Sequence, residues 1–162
     1  MNKTENSITQ FYSAFAGLDV DAMSRFYADD VTFDDEAFSL RGKAQVMGMW
    51  RMLCETTKAK ALADWKLEFS DVSAEGNRGR AHWDAHYRFS ATNRLVLNRI
   101  DAQFTFNPQG LVVQHTDSFD FWAWARQSLG APGLLLGWTP FLRNKVRTQA
   151  AANLAKFMSK VG

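Results

Sequence analysis

The chain has 162 residues and carries 19 Lys and Arg against 17 Asp and Glu, so its net charge of +2 gives little electrostatic support for binding nucleic acid. Its single cysteine, Cys54, excludes an internal disulfide and a cysteine-ligated zinc site. The polar N-terminus lacks the apolar region of a signal peptide, and no apolar run approaches the ~18–20 residues of a membrane span. We therefore expect a cytoplasmic protein with no nucleic-acid and no membrane partner.

The first part of the chain is predicted to be helical. Ile8, Phe11, Tyr12 and Phe15 recur at helical spacing and predict one apolar stripe over residues 7–15. A second helix is expected to start at residues 19–21 and to bury Met23, Phe26 and Tyr27. Residues 31–35 alternate like a short strand, and a third helix is expected over residues 44–56, with Val46, Met47 and Trp50 on its apolar face.

From residue 64 onward the apolar period changes to two, which predicts four consecutive antiparallel strands separated by turns. Each strand is expected to turn one set of side chains inward. The inward sets are Trp65, Leu67 and Phe69; then Ala81, Trp83, Ala85, Tyr87 and Phe89; then Val96, Asn98, Ile100, Ala102, Phe104 and Phe106; and finally Leu111, Val113, His115, Asp117, Phe119 and Phe121.

The last part of the chain is predicted to return to helix. Residues 122–129 form a short helix that ends at Gly130, and Thr139 and Pro140 provide the start of a helix that runs to about Met158. Helices followed by adjacent strands and a final helix favour an α+β fold over a parallel one. We expect one domain over residues 1–129 and a helical extension over residues 130–162 packed on it.

Three ionisable residues fall on inward positions of the predicted strands, namely Asp35, His115 and Asp117. A carboxyl group among aromatic rings has a raised pKa, which suits it to acid or base chemistry near neutral pH. Structural roles stay open: Asp35 as a cap where the chain leaves its strand, His115 as a hydrogen-bonded core histidine, and Asp117 as the partner of an arginine. His82, Asp84 and His86 lie on the outward positions, so we expect no metal site there.

Two segments resemble a known superfamily. Residues 26–35, Phe-Tyr-Ala-Asp-Asp-Val-Thr-Phe-Asp-Asp, resemble the helix-to-strand segment of nuclear transport factor 2-like proteins, and residues 115–122, His-Thr-Asp-Ser-Phe-Asp-Phe-Trp, are similar to the last strand of SnoaL-like proteins. The resemblance runs from about Ile8 to Leu129. It implies a cone-shaped, strongly curved and mostly antiparallel sheet wrapped around N-terminal helices, with the last helix as an addition.

The resemblance also implies roles for single residues. Asp35 matches the base of ketosteroid isomerase, but Phe11 and Ala102 occupy the positions of its two oxyanion donors, which argues against steroid isomerisation. Asp117 matches one carboxylate of limonene epoxide hydrolase, while Trp83 and Ala85 stand where the rest of its triad would be. The pair His115 and Asp117 is the parallel to SnoaL-like cyclases.

The sequence thus predicts a protein that binds a small apolar molecule, with catalytic residues Asp35, His115 and Asp117 and without a cofactor. If it is an enzyme, it is an acid/base isomerase, cyclase or hydrolase; the alternative is a non-catalytic ligand-binding or dimerisation module. A homodimer through the outer sheet face is also expected. The predicted ligand-binding residues are Phe11, Tyr12, Tyr27, Trp50, Trp83, Tyr87, Asn98 and Phe119.

Overall fold

A computed structural model describes residues 1–161 of the chain. Within those residues it contains six α-helices, six strands and one 3₁₀ turn at Leu62–Asp64. The helices are α1 (Lys3–Ala16), α2 (Val20–Ser24), α3 (Lys43–Lys60), α4 (Phe121–Leu129), α5 (Ala131–Leu136) and α6 (Pro140–Val161). The strands are β1 (Tyr27–Asp34), β2 (Ser39–Arg41), β3 (Lys66–Glu75), β4 (Arg78–Phe89), β5 (Arg94–Phe106) and β6 (Val112–Ser118).

The six strands form one curved sheet in the order β2-β1-β6-β5-β4-β3. All neighbours are antiparallel except β1 and β6, which run parallel. The hairpin of β4 and β5 is the longest pairing and keeps its register without interruption from Arg78 opposite Thr105 to Phe89 opposite Arg94. Bulges interrupt three other pairings. The predicted α+β architecture, with helices against one face of a curved, mostly antiparallel sheet, is confirmed.

The inward positions of β5 follow the sequence prediction, but those at the start of β6 do not. Val112 is fully buried and Val113 only half-buried, the reverse of the expected phase. The register of β5 against β6 shifts between Thr105 and Phe106, and this bulge changes which side chain turns inward. The prediction is also wrong for Phe121, which begins α4, because Asp120 caps that helix by accepting a hydrogen bond from the Ala123 backbone.

Tyr27 is predicted on the second helix and is instead the first residue of β1. Helix α2 has only five residues and ends at Ser24. The Val112 amide then donates to the Phe26 carbonyl oxygen at 2.9 Å, so the chain enters the sheet beside β6 two residues after the helix. This early entry places Tyr27 next to the last strand. In contrast to α2, the third helix is longer than the predicted range of residues 44–56, because it extends to Lys60.

The core lies between the concave face of the sheet and helices α1 and α3. The predicted stripe of Ile8, Phe11, Tyr12 and Phe15 is buried as expected. Asn2 and Glu5 form a capping box that fixes where α1 begins. The interior is therefore built mainly from aromatic rings that contact one another edge to face or stacked.

Helix α4 packs on β5, α5 packs on α4, and α6 runs along α3. Leu142 of α6 joins a second apolar cluster with Val96, Phe121 and Trp124, while Leu154 reaches the main core. The division at residues 129 and 130 stays a prediction, and Gly162 lies outside the described residues. No helix among residues 1–161 combines the length and apolar character needed to cross a bilayer.

Candidate functional site

The centre of the interior holds a chain of four hydrogen-bonded side chains. The Trp50 indole Nε1 donates to the Tyr27 hydroxyl oxygen at 2.9 Å, and that hydroxyl lies 2.8 Å from His115 Nδ1. His115 Nε2 lies 2.8 Å from Asp117 Oδ1. The two strand residues therefore lean together and pair directly, and Asp117 has His115 as its partner in place of the arginines considered from the sequence.

One arrangement of donors and acceptors along this chain satisfies every donor. Trp50 can only donate, so the Tyr27 oxygen accepts from it and its own O–H donates to His115 Nδ1. In this arrangement His115 Nε2 carries a proton and donates it to Asp117 Oδ1. The chain thus holds Asp117 Oδ1, and no hydrogen bond from a residue between 1 and 161 engages the other oxygen.

His115 is enclosed on several sides by rings. Its side chain is 1% exposed, and the ring centroids of Phe104 and Phe33 lie 4.4 and 4.9 Å from its own. Phe11 and Trp50 lie slightly farther away. The Asp117 side chain is also almost completely buried, at 3% exposed, so the geometry suits His115 to holding the carboxylate in place.

Asp35 directly follows β1, and its side chain caps the turn that comes next. Its Oδ1 accepts hydrogen bonds from the backbone amides of Ala37 and Phe38, at 2.7 and 2.6 Å, which is the capping role considered from the sequence. Burial raises the pKa of its carboxyl from 3.8 to about 7, opposed by the Phe38 amide and reinforced by the negative charge of Asp117. A negative charge on Asp117 therefore makes it harder for Asp35 to lose its proton.

Two buried donors in the same interior have no hydrogen-bond partner among the described residues: the Tyr12 hydroxyl and the Trp83 indole Nε1. Their rings lie 5.8 Å apart between centroids. Burial, followed by the charge of Asp117, raises the pKa of Tyr12 well above its usual value. Unpartnered buried donors are rare in proteins and call for an explanation such as a ligand or an ordered water.

The remaining predicted ligand-binding residues fall into two groups that differ in how deeply they are buried. Phe11, Tyr27, Trp50 and Asn98 are buried, whereas Tyr87 and Phe119 are half-buried and contact both apolar clusters. The Tyr87 hydroxyl accepts from Trp124 Nε1 at 2.8 Å. Burial raises the pKa of Tyr87 to about 12, opposed by the hydrogen bond from Trp124 and reinforced by the charge of Asp35.

The sequence analysis missed two residues that contact the predicted site residues Asp35 and Tyr87. Arg147 of α6 donates from one nitrogen to the backbone oxygens of Asp35 and Glu36, at 3.2 and 3.1 Å. Trp124 of α4 holds the Tyr87 hydroxyl. Neither contact has a local signal, because both join residues more than 35 positions apart in the chain.

Two cavities, of about 570 and 640 Å³, lie on the convex, outer side of the sheet, lined by residues that include Ser73, Arg80 and Gln103. The interior pocket predicted from the sequence stays a prediction. On the same outer side His82 lies between Asp101 and Asp84, at 2.8 and 2.9 Å, and its pKa is raised chiefly by the hydrogen bond to Asp101. Within residues 1–161 no three His, Cys, Asp or Glu side chains form a group able to hold a metal ion.

The sequence matches a protein-family model, and the fold matches solved structures. A family model described as a SnoaL-like domain matches residues 8–115, which is about two thirds of the chain. No curated protein sequence matches.

Three solved structures illustrate the similarity of fold. A candidate polyketide cyclase from Xanthomonas campestris pv. campestris is 20% identical, with 76% of this chain and 95% of that one covered and a TM-score of 0.59. A hypothetical protein with a ketosteroid isomerase-like fold from Catenulispora acidiphila, in complex with trimethylamine, is 17% identical over 83% and 97%, with a TM-score of 0.62. An LEH-like epoxide hydrolase from M. tuberculosis is 16% identical over 86% and 94%, with a TM-score of 0.58. These identities establish a shared fold and nothing about the reaction.

Proposed function

Because this chain belongs to the SnoaL-like domain family, we propose that it binds a small apolar molecule inside the cone and acts on it as a cofactor-independent acid/base isomerase, cyclase or hydrolase. The observation that carries the proposal is the pair of unpartnered buried donors, Tyr12 and Trp83, in the same interior as the buried carboxylate of Asp117. A ligand with one oxygen acceptor on an apolar frame fits that combination.

The donors favour a ligand through their own free energy. Leaving a buried donor without a partner costs about 1–3 kcal/mol, so a ligand oxygen that accepts from both would recover a similar amount for each. The surrounding rings would contact the apolar part of the ligand. Selectivity would then favour a carbonyl, epoxide or hydroxyl compound over a plain hydrocarbon.

In the proposed mechanism the substrate is a carbonyl compound. The Asp117 oxygen that His115 does not hold removes a proton from the carbon next to the carbonyl group. Tyr12 and Trp83 donate to the carbonyl oxygen and stabilise the negative charge that develops there. Asp35, which is partly protonated at neutral pH because its pKa is about 7, donates its own proton to the substrate. A proton then passes from Asp117 to Asp35 through water, which restores the carboxylate of Asp117 and the acid form of Asp35. His115 touches Asp117 and not the substrate, so it is a positioning residue, held by Tyr27 and Trp50.

Proton exchange tests this mechanism with a panel of small cyclic ketones and enones. We expect the protein to speed the loss of α-proton NMR signals from members of the panel in D₂O. Asp117→Asn keeps an oxygen that can accept from His115, and it should lower the exchange rate by about 10²–10⁴-fold. His86→Gln, on an outward position of β4, is the matched control and should leave the rate unchanged. Exchange that is equally fast with Asp117→Asn would refute the acid/base role.

A non-catalytic binding module is the second candidate, and two observations favour it. The Asp35 Oδ1 is engaged by a backbone turn, and His115 is enclosed by rings. This alternative predicts that panel compounds raise the melting temperature of the wild-type protein and of Asp117→Asn equally, with no exchange in either. Tyr12→Phe should weaken such binding in both cases.

We also propose that two copies of the chain pair through the outer sheet face. The outward side chains of β4 and β5 there are polar and mutually bonded, as in the group of His82, Asp84 and Asp101. A two-fold contact would place this group near the interface. Sedimentation at micromolar concentration should give the mass of a dimer, and Arg80→Glu should shift it toward that of a monomer; a wild-type monomer would contradict the pairing.

A further inference from the structure

Helix α5 has its small residues inside and its large apolar residues outside. Gly133 and Gly137, one helical turn apart, are the buried positions, and a Cβ atom at Gly133 would overlap the carbonyl oxygen of Ala125 in α4. The glycines therefore let α5 pack closely on α4. The consequence is that the three residues between them, Leu134, Leu135 and Leu136, face solvent.

These leucines belong to a larger continuous surface. Six of the ten large hydrophobic side chains that are exposed in the described residues come from this one part of the fold. We name them the apical patch, which consists of Trp122, Leu134, Leu135, Leu136, Trp138 and Phe141. Leu135, Trp138 and Phe141 are each about two thirds exposed, at 68, 68 and 69%.

Hydrogen bonds hold the apical patch in shape. Trp122 Nε1 donates to the Leu134 carbonyl oxygen and Trp138 Nε1 donates to that of Leu135, both at 3.1 Å. The Trp122 ring also lies against Gly137. A rigid and exposed apolar surface of this kind marks an interaction site more often than a chance feature.

The segment of the chain that carries the apical patch is basic, although the exposed Asp120 lies two residues before Trp122. All 17 acidic residues of the chain lie in residues 1–120, whereas residues 121–162 contain six Lys or Arg and no Asp or Glu. Arg126 stacks over the Trp122 ring at 4.8 Å, and Lys145 follows Phe141 by four residues on the exposed face of α6. Positive charges therefore border the apolar side chains.

From this combination we infer that the apical patch docks on an anionic lipid surface, with leucines and Phe141 among the acyl chains and Arg126 and Lys145 at the headgroups. Tryptophan at the edge of an apolar surface that is bordered by basic residues suits the interfacial region of a bilayer. A second copy of the chain fits less well, because a two-fold contact would bring the same basic residues against each other. This inference departs from the expectation of no membrane partner, which rested on the lack of a long apolar run. The docking involves no membrane-spanning helix, and it leaves the residues of the proposed function untouched.

Vesicle co-sedimentation of the full-length protein tests the docking. We expect binding to vesicles that contain phosphatidylglycerol, weaker binding to pure phosphatidylcholine, and loss of binding at high salt because charges are screened. Leu135→Ser should weaken partition roughly tenfold, since one leucine side chain leaves the acyl region. Leu95→Ser is the matched control, because Leu95 is 59% exposed on β5, and it should change nothing.

Two further measurements make the outcome decisive. Lys145→Glu should weaken binding to the anionic vesicles, while Lys58→Glu on α3 should not. Circular dichroism should show that Leu135→Ser folds like the wild type, so a loss of binding is not a loss of fold. The inference is overturned if the wild type binds neither kind of vesicle, if binding ignores phosphatidylglycerol, or if Leu135→Ser only converts a dimer to a monomer.

Discussion

The interior of the cone and the apical patch use the same kinds of residues in opposite ways. In the interior, Phe, Tyr and Trp side chains are buried and their polar atoms are mostly bonded to one another, as in the chain from Trp50 to Asp117. In the segment from α5 to the start of α6, glycines are buried and Leu, Trp and Phe are exposed.

This difference separates two uses of apolar surface. In the interior, burial stabilises the fold, and each polar atom among the rings needs a partner. In the apical patch the same side chains contribute little to stability in water and remain available for a partner outside the molecule. Substitutions in the two regions should therefore differ in what they change.

The largest effect is expected in the interior. His115→Ala should lower the free energy of unfolding by about 3–5 kcal/mol, because it leaves Asp117 buried without its partner and opens a cavity among the rings. His86→Ala, on an outward position, is the control and should cost less than about 1 kcal/mol. Urea denaturation of both variants measures the difference, and similar values for the two would break the comparison.

The next effect concerns the close packing of α5 on α4. Gly133→Ala should cost about 1–3 kcal/mol, because its methyl group would overlap the Ala125 backbone. Gly48→Ala in α3 meets only the flexible end of Met158, at 3.0 Å, and should be nearly neutral since alanine is the better helix former. Thermal unfolding compares the pair, and a stable Gly133→Ala would show that the glycine does not set the orientation of α5.

A smaller and pH-dependent effect is expected at Asp35, where α6 meets the rim of the cone. The folded pKa of about 7 lies above the unfolded value of 3.8, so the folded state binds more protons and loses stability as pH rises from about 4 to about 7. Asp35→Asn keeps an acceptor for the turn and removes the titration. It should be more stable than the wild type above pH 7 by on the order of 1–2 kcal/mol, and about equal near pH 4. A difference in stability that does not change with pH would contradict the raised pKa.

The smallest expected change in the free energy of unfolding comes from removing single tyrosine hydroxyl groups, one with hydrogen-bond partners and one without. Tyr27→Phe should cost about 1–2 kcal/mol, because Trp50 and His115 each lose a partner. Tyr12→Phe removes a hydroxyl that has no partner among residues 1–161, so it should be neutral or slightly stabilising. Chemical denaturation distinguishes the two, and an equal cost for both would mean that the Tyr12 hydroxyl already has a bound partner such as a water molecule.

Strand alternation predicted most of the interior correctly. The inward set of β5 from Val96 to Phe106 is buried as expected. His115 and Asp117 are buried as well, as their alternate positions along β6 predicted. The prediction was wrong at Val113, since a bulge shifts the phase without leaving a mark in the apolar pattern. It was also wrong at Tyr27, where the pattern fits a helix as well as a strand.

The sequence predicted which residues belong to the candidate site, but it did not predict the hydrogen bonds between them. Periodicity placed Tyr27, Trp50, His115 and Asp117 in one interior, and it gave no sign that they form a single hydrogen-bonded chain. The bond between Tyr27 and His115 joins residues 88 positions apart and depends on the parallel pairing of β1 with β6. Local sequence contains no information on such a pairing.

The apolar pattern of the sequence determined the α+β class, the apolar stripe of α1 and the burial of His115 and Asp117, whereas Asp35 lies just beyond the strand on which it was expected. Only the tertiary structure decided which of those side chains acquire partners, because hydrogen bonds between distant strands depend on register and bulges. The same holds for α5, where close packing on α4 places glycines inside and leaves leucines in the solvent. Side-chain chemistry is set residue by residue, whereas contact between distant residues is set by the whole fold.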